Sequence, residues 1–176
     1  MKLYDAARCP YCARVRIALA EKELEYETVE VDLRNRPPWI YDLNPSGKVP
    51  VFDDGFVLPE SAVIMEYLED RYRDRPLLPE RLTERADARL RVFRFDELLG
   101  ADYYAFRRGD ANALSERLEA LPVGDSLFVD VAFAPWVIRA RELLGVALPA
   151  QLDGWLEQLA KRPAIAEELE LVRGLA

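Results

Sequence analysis

The sequence predicts a two-domain protein in which an α/β domain precedes an all-α domain. Strand-like and helix-like segments alternate at the start of the chain, whereas strand patterns disappear in its second half. Pro76 and Pro79 interrupt the helical pattern between the two halves and mark a boundary there. We therefore assign residues 1–75 to the first domain, 76–83 to a linker and 84–176 to the second domain.

The first domain has the predicted order β-α-β-α-β-β-α. Its predicted elements are a strand at 2–4, a helix, a strand at 26–31, a helix from 37 to 44, strands at 51–52 and 56–58, and a helix from Ser61. Ser61 is expected to cap this last helix. Charged residues outside the apolar stripes are expected to face solvent. They include Arg14, Arg16, Lys22 and Glu69.

The second domain is predicted to be entirely helical. The predicted helices cover residues 84–107, 111–121, 130–144, 152–160 and 164–173. Thr83 is the expected N-cap of the first of them. Pro135 lies inside the third and is predicted to kink it, because proline cannot donate the helical hydrogen bond.

Composition excludes several classes of function. The net charge of -8 would repel phosphate backbones and anionic lipids, so we expect neither a nucleic acid nor a membrane partner. The chain has no apolar run of membrane-spanning length and no signal-like start, which predicts a cytoplasmic protein. It contains no histidine and two cysteines, so zinc sites and histidine-based catalysis lack their groups, and no metal is expected.

The chemistry of the chain is predicted to lie in the segment Cys9–Cys12, which reads Cys-Pro-Tyr-Cys. A cysteine that follows a strand and opens a helix lies near backbone N–H groups that favour an anion. In motifs of this spacing the pKa of the first thiol falls from ~8.5 to about 3.5–7.5. Cys9 is therefore the predicted nucleophile and Cys12 the resolving thiol. In this scheme the Cys9 thiolate attacks a disulfide sulfur, and Cys12 then attacks the mixed disulfide to release the reduced product.

Three motifs in register resemble the glutathione S-transferase superfamily. They are Cys9–Cys12, Gly47–Phe52 (Gly-Lys-Val-Pro-Val-Phe) and Pro59–Ala62 (Pro-Glu-Ser-Ala). The branch they most resemble is the two-domain, GST-like glutaredoxins. The resemblance implies a thioredoxin-like first domain, a GST-type helical second domain that is shortened here, and glutathione as cosubstrate.

The resemblance also assigns roles within the site. It implies that glutathione contacts the backbone of Val49, that the Val49–Pro50 bond is cis, and that Glu60 and Ser61 hold the γ-glutamyl end. The remaining residues that it places at glutathione are Cys9, Tyr11, Lys48 and Pro50. A second glutathione would then resolve the mixed disulfide at Cys9 as an alternative to Cys12.

Two departures from the family pattern concern the second domain. Members usually place Ser or Thr three residues before an internal aspartate, whereas Leu127 occupies that position before Asp130. The segment 111–129 is also short, which would leave the second-substrate side open. An open site would suit bulky or protein disulfides as well as small ones.

Three functions follow from these observations. The paired cysteines favour a glutaredoxin-like thiol transferase. The alternatives are a glutathione S-transferase that conjugates small electrophiles, and a GST-like protein that binds partners without catalysis. The superfamily often forms two-fold dimers, whereas the GST-like glutaredoxins are typically monomeric, and a homodimer is the prediction here.

Overall fold

The chain consists of two compact units, which are Met1–Pro76 and Leu77–Ala176. The computed structural model describes residues 1–175. The first unit combines strands and helices and the second is helical, so the predicted fold class is confirmed. The linker proposed at 76–83 stays a prediction.

The first unit contains a four-stranded sheet and three helices. In chain order its elements are β1 (Lys2–Asp5), α1 (Pro10–Glu21), β2 (Glu27–Glu30), α2 (Ile40–Leu43), β3 (Val51–Asp53), β4 (Val57–Pro59) and α3 (Ser61–Arg71). The order matches the prediction. The largest difference is at α2, which begins at Ile40 rather than at the two preceding prolines.

The sheet has the strand order β2-β1-β3-β4. Strand β1 pairs in parallel with β2 and antiparallel with β3, and β3 forms an antiparallel hairpin with β4. Parallel pairing needs a crossover connection, and α1 supplies it. Leu3 lies opposite Phe52 in the β1–β3 register, and both side chains are fully buried. This pair anchors the sheet to the core.

Helix α1 begins at Pro10, whose fixed φ suits the first helical position. It packs against α3. The prediction that its charged residues face solvent is wrong for Arg14 and Lys22, which are buried, and for Arg16, whose side chain is only 12% exposed. Hydrophobic patterning assigns charged residues to the surface because local periodicity carries no information about partners that are distant in the sequence.

Distant partners explain these buried charges. The Lys22 ammonium lies 2.6 Å from Glu69 of α3, and both side chains are almost completely buried. It also donates hydrogen bonds of 2.9 Å to the carbonyls of Tyr72 and Arg75. Glu69 was also expected to face solvent, and that expectation is wrong for the same reason. The ion pair joins the residue that caps the end of α1 to the last turn of α3.

The second unit is built from six α-helices within its described residues. They are α4 (Leu82–Phe93), α5 (Ala101–Arg108), α6 (Leu114–Glu119), α7 (Leu127–Glu142), α8 (Ala150–Leu159) and α9 (Pro163–Arg173). The single helix predicted over 84–107 is divided, because a π-helical turn at Asp96–Gly100 separates α4 from α5. Thr83 lies inside the first turn of α4 rather than at its cap.

Helix α7 forms the core of this unit, and it is buried on nearly all sides. It contacts α4, α8 and α9. Pro135 lies within it, and the predicted kink there stays a prediction. The Arg139 guanidinium donates to the carbonyl of Pro135 and pairs with buried Glu168 at 2.9 Å. Within residues 1–175, no helix is both long and apolar enough to cross a membrane.

The buried ion pair predicts a large loss of stability when one partner is removed. We expect Lys22→Met to lower the free energy of unfolding by about 3–5 kcal/mol, because Glu69 would remain as a buried anion that has lost the Lys22 ammonium. Urea unfolding followed by circular dichroism measures the change. The double variant Lys22→Met/Glu69→Met should recover most of the loss. Equal stability of the single variant and the wild type would contradict this account.

Candidate functional site

The sheet register brings the three motifs to one edge of the first unit. Tyr4, near the end of β1, pairs with Val51 at the start of β3, and Val51 pairs with Pro59 at the end of β4. The segment after β1, the segment before β3 and the segment after β4 therefore meet at the same edge. These segments carry Cys9, the Val49–Pro50 bond and the Glu60–Ser61 pair.

Cys9 occupies the N-cap position of α1 and is partly exposed. Its thiol donates a hydrogen bond to the Val49 carbonyl, with 3.8 Å between sulfur and oxygen. Its N–H donates to the Ala6 carbonyl at 2.8 Å, which fixes the turn before the helix. The first N–H groups of a helix have no intrahelical acceptor, so this position favours a negatively charged sulfur.

Cys12 lies one turn further along α1, in a very different environment. It is fully buried in an apolar cluster that includes Val31, Ile40 and Val51. Burial raises the pKa of the Cys12 thiol well above its usual value, and the hydrogen bond with Cys9 and the negative charges of Cys9 and Asp5 raise it further. Cys12 therefore keeps its proton under conditions in which an ordinary cysteine begins to lose it.

The loop before β3 holds the Val49–Pro50 bond, which is cis as the resemblance implied. Asn44 organises this loop, a role that the sequence analysis missed. Its side chain donates to the Lys48 carbonyl at 2.9 Å and accepts from the Ser46 N–H at 3.1 Å. The sequence showed only a cluster of helix breakers here. The Lys48 residue itself is exposed.

Gly47 in this loop has φ +64, a conformation that glycine adopts without strain. A Cβ atom at this position would lie 2.5 Å from Cε1 of Tyr41, so the ring and the loop are in close contact. The Gly47 carbonyl also accepts a hydrogen bond of 3.0 Å from Nε of Arg36. The loop is thus held by side chains from the preceding segment.

Glu60 and Ser61 form the start of α3. Glu60 is the N-cap and has φ +72, an uncommon conformation for a residue with a side chain and one that tends to occur at functional sites. Ser61 is the first helical residue, and the helix has no side-chain cap. The expectation that Ser61 caps the helix is therefore wrong. Its buried hydroxyl is available for other contacts.

Arg14 is a second residue that the sequence analysis missed. It is buried, with 3% of its surface exposed, and its Nη1 lies 3.4 Å from the Ser61 hydroxyl. Its guanidinium carbon lies 5.5 Å from the centre of the Tyr11 ring. Tyr11 belongs to the Cys-Pro-Tyr-Cys motif, so Arg14 touches both the redox motif and the start of α3. Its position on α1 gave no signal of this.

The arrangement provides the parts needed for thiol chemistry with an anionic ligand. A partly exposed sulfur sits at a helix start, and a second sulfur lies one turn away. A backbone carbonyl at Val49 and the N-terminus of α3 flank the first sulfur along the same edge. Such a helix start can bind a carboxylate through its N–H groups and its dipole.

Known proteins share this organisation. The family model described as "Glutathione S-transferase, N-terminal domain" matches residues 3–76. The chain is 30% identical over 192 residues to pyrimidodiazepine synthase of Drosophila melanogaster, with 94% of this chain and 79% of that protein covered. It is 28% identical over 191 residues to glutathione S-transferase omega-1 of Sus scrofa, with the same coverage. The crystal structure of rice GST1 in complex with glutathione has a TM-score of 0.82 at 27% identity, covering 99% of this chain and 95% of that one. This chain therefore belongs to the glutathione S-transferase superfamily.

Proposed function

We propose that the protein is a glutathione-dependent thiol transferase in which Cys9 is the nucleophile. The observation that carries this proposal is the contrast between the two sulfurs. Cys9 is partly exposed at the start of α1, whereas Cys12 is fully buried and its pKa is raised. A disulfide substrate can approach the first sulfur but not the second.

The proposed reaction begins at the Cys9 sulfur. Its thiolate attacks the glutathione sulfur of a mixed disulfide, the old S–S bond breaks, and the substrate leaves as a thiolate that takes up a proton. A second glutathione, as thiolate, then attacks the Cys9–glutathione disulfide and releases glutathione disulfide. The substrate sulfur is reduced and one glutathione thiol is oxidised, while the glutathione of the mixed disulfide stays at the disulfide level, so the electrons balance. Cys12 offers a second route: its thiolate attacks the Cys9 sulfur and releases glutathione, and two further glutathione molecules reduce the Cys9–Cys12 disulfide that is left, giving glutathione disulfide.

Glutathione binding is proposed along the edge where the motifs meet. The Val49 backbone would pair with the backbone of the tripeptide, and Glu60 and Ser61 would hold its γ-glutamyl end. Tyr11, Lys48 and Pro50 complete the proposed surface. The crystal structure of the rice relative contains glutathione, and the sulfur–carbonyl contact at Val49 supports a ligand position beside Cys9.

The second substrate is proposed to be a small or protein disulfide. Both cysteines are free thiols, which suits the reducing cytoplasm that we propose as the location of the protein. Conjugation of electrophiles is the alternative that superfamily membership favours. It needs the glutathione thiolate itself as nucleophile, whereas a cysteine beside that thiolate tends to form a disulfide with it.

Reduction of a small glutathione mixed disulfide by glutathione tests the proposal. We expect Cys9→Ser to lower the rate by about 100-fold or more, as loss of a covalent nucleophile does. Cys12→Ser should keep part of the activity, because a second glutathione can resolve the intermediate. A chlorinated aromatic electrophile serves as the parallel substrate. A conjugation rate that exceeds the rate of disulfide reduction would contradict the proposed thiol transferase. So would the absence of disulfide reduction together with a conjugation rate that Cys9→Ser leaves unchanged.

The contrast between the sulfurs also predicts their reactivity toward alkylation. We expect iodoacetamide at neutral pH to modify Cys9 about tenfold faster than Cys12 or more, because Cys12 is buried and its raised pKa keeps it protonated. Modification of Cys12 should increase only when the pH rises beyond the range of an ordinary thiol, or when the protein unfolds. Peptide mass spectrometry after timed quenching measures both rates. Faster labelling of Cys12 in the folded protein would reverse the proposed roles.

We propose further that two copies of the chain associate through α4. Three large apolar residues lie on one face of this helix and are exposed, with Leu82 at 82%, Leu90 at 50% and Phe93 at 88%. Exposed apolar patches mark association sites, and a two-fold dimer buries the same patch of both copies. Ala88 and Val92 on another face of α4 are buried, so the exposed face is additional to the one packed inside the unit.

The dimer proposal predicts a concentration-dependent mass. We expect Phe93→Glu to weaken association by about tenfold or more, because an unpaired charge would be placed in the interface. Light scattering coupled to size exclusion measures the mass over a dilution series. Glu157→Gln, at an exposed position on α8, provides a control for a surface change away from α4. A wild-type protein that stays monomeric at high concentration would disprove the proposal.

A further inference from the structure

Arg14 is a buried cation that the proposed thiol exchange does not use. Its side chain belongs to α1, yet its hydrogen-bond partner Ser61 is 47 positions away in the sequence. Placing a guanidinium in the interior has a large desolvation cost. Its surroundings include the start of α3 and the ring of Tyr11.

The direction of the hydrogen bond at Ser61 is informative. A guanidinium has donors but no acceptor, so the Ser61 oxygen must accept from Arg14. The hydroxyl proton of Ser61 then points away from Arg14 and can be donated to a ligand. At 3.4 Å the contact is a long hydrogen bond, so the guanidinium also acts through its charge, which makes the hydroxyl a better donor to an anion.

The start of α3 adds positive potential of its own. Ser61 is the first residue of an 11-residue helix, whose unpaired N–H groups and dipole favour an anion. Both the guanidinium and the helix start therefore favour a carboxylate at Ser61. Because the effective dielectric constant is low in a buried environment, the attraction of the Arg14 charge is stronger than that of a surface cation.

Tyr11 ties Arg14 to the redox motif. The guanidinium carbon lies 5.5 Å from the ring centre, within the range of a cation–π contact. Tyr11 lies two residues after Cys9, so one side chain contacts both the motif that holds the thiol and the residue proposed to hold the carboxylate. Arg14 therefore links these two parts of the proposed site.

We infer that Arg14 is a positioning residue, acting through Ser61, that makes the site prefer thiols carrying a γ-glutamyl α-carboxylate over otherwise equal thiols without it. The inference rests on the proposed function, because it assigns the γ-glutamyl end to Ser61. It goes beyond that function by naming the group that sets ligand selectivity. Two unreactive ligands test it without any thiol chemistry.

The first ligand is S-methylglutathione and the second is its analogue with 4-aminobutanoate in place of the γ-glutamyl group, which lacks only the α-carboxylate. Isothermal titration calorimetry gives the dissociation constant of each for the wild type, Arg14→Gln, Arg14→Lys, Ser61→Ala and the double variant Arg14→Gln/Ser61→Ala. Arg73→Gln is the matched control for charge. Arg73 contacts the Asp70 carbonyl near the other end of α3.

We expect Arg14→Gln to raise the dissociation constant of S-methylglutathione by about tenfold, as for one lost charge-assisted interaction. The dissociation constant of the analogue should change by less than about threefold. Arg14→Lys should recover part of the preference, since it keeps the charge but not the planar donor. The double variant should bind S-methylglutathione less tightly than Ser61→Ala does by a factor much smaller than ten, because the two residues act together. Arg73→Gln should bind both ligands with the affinities of the wild type.

Two results would overturn the inference. The first is an equal loss of affinity for both ligands, which indicates that Arg14 only maintains the fold. The second is additive effects of Arg14→Gln and Ser61→Ala, which would mean that Arg14 does not act through Ser61. Thermal unfolding of each variant accompanies the titrations, and Arg14→Lys carries the test if Arg14→Gln does not fold. Failure of the thiol transferase assay leaves these binding results intact, so the two proposals fail separately.

Discussion

The pairing of β1 with β3 is the constraint on which the candidate site depends. The antiparallel register places Leu3 opposite Phe52 in the core and Tyr4 opposite Val51 at the edge. A slip of one residue would turn Leu3 toward the opposite face of the sheet, so burial fixes the register. The same register places the loop that follows β1 beside the loop that precedes β3. The contact between Cys9 and Val49 is therefore a consequence of core packing.

The spacing of the two cysteines allows one helix turn to give them different chemistry. Cys9 precedes the first turn and its sulfur contacts the Val49 carbonyl, whereas Cys12 completes that turn and lies in the apolar cluster. Pro10 stands between them at a position where its missing N–H costs no hydrogen bond. Burial raises the pKa of the Cys12 thiol, whereas Cys9 lies partly exposed at the helix start. The two sulfurs therefore differ in environment before any substrate binds.

Local sequence rules predicted the order of elements because strands and helices of the first unit have clear periods and turn residues. The hairpin at Asp53–Gly55 and the cis bond before Pro50 were both predicted, the first from turn chemistry and the second from the family resemblance. Rules of this kind failed where a distant partner decides the outcome. Arg14 and Lys22 look like solvent-facing residues until α3 is packed against α1. Neither period nor composition contains that information.

The absence of information on distant contacts also explains why two N-caps were predicted wrongly. Ser61 and Thr83 have the side chains of good N-caps, yet each lies inside its helix rather than before it. At α3 the strained backbone of Glu60 provides the turn, and the Ser61 hydroxyl contacts Arg14 instead. In the second unit, Ser126 precedes α7 without a side-chain cap bond. Asp130 fixes this turn by accepting from the Gly124 N–H at 2.7 Å and from the Trp155 indole at 3.1 Å.

Buried charges in the first unit link α1 to β1 and to α3. Arg16 pairs with Asp5 of β1 at 2.5 Å from the middle of the helix, and Lys22, just past the helix end, pairs with Glu69 of α3. Apolar side chains of similar size could supply equal stability, since the desolvation of an ion pair often offsets its attraction. They would not supply direction, because apolar contacts tolerate rotation and sliding that a hydrogen-bonded charge does not. With α1 fixed at its middle and just past its end, Arg14 in its first half is held with its guanidinium beside the Ser61 hydroxyl.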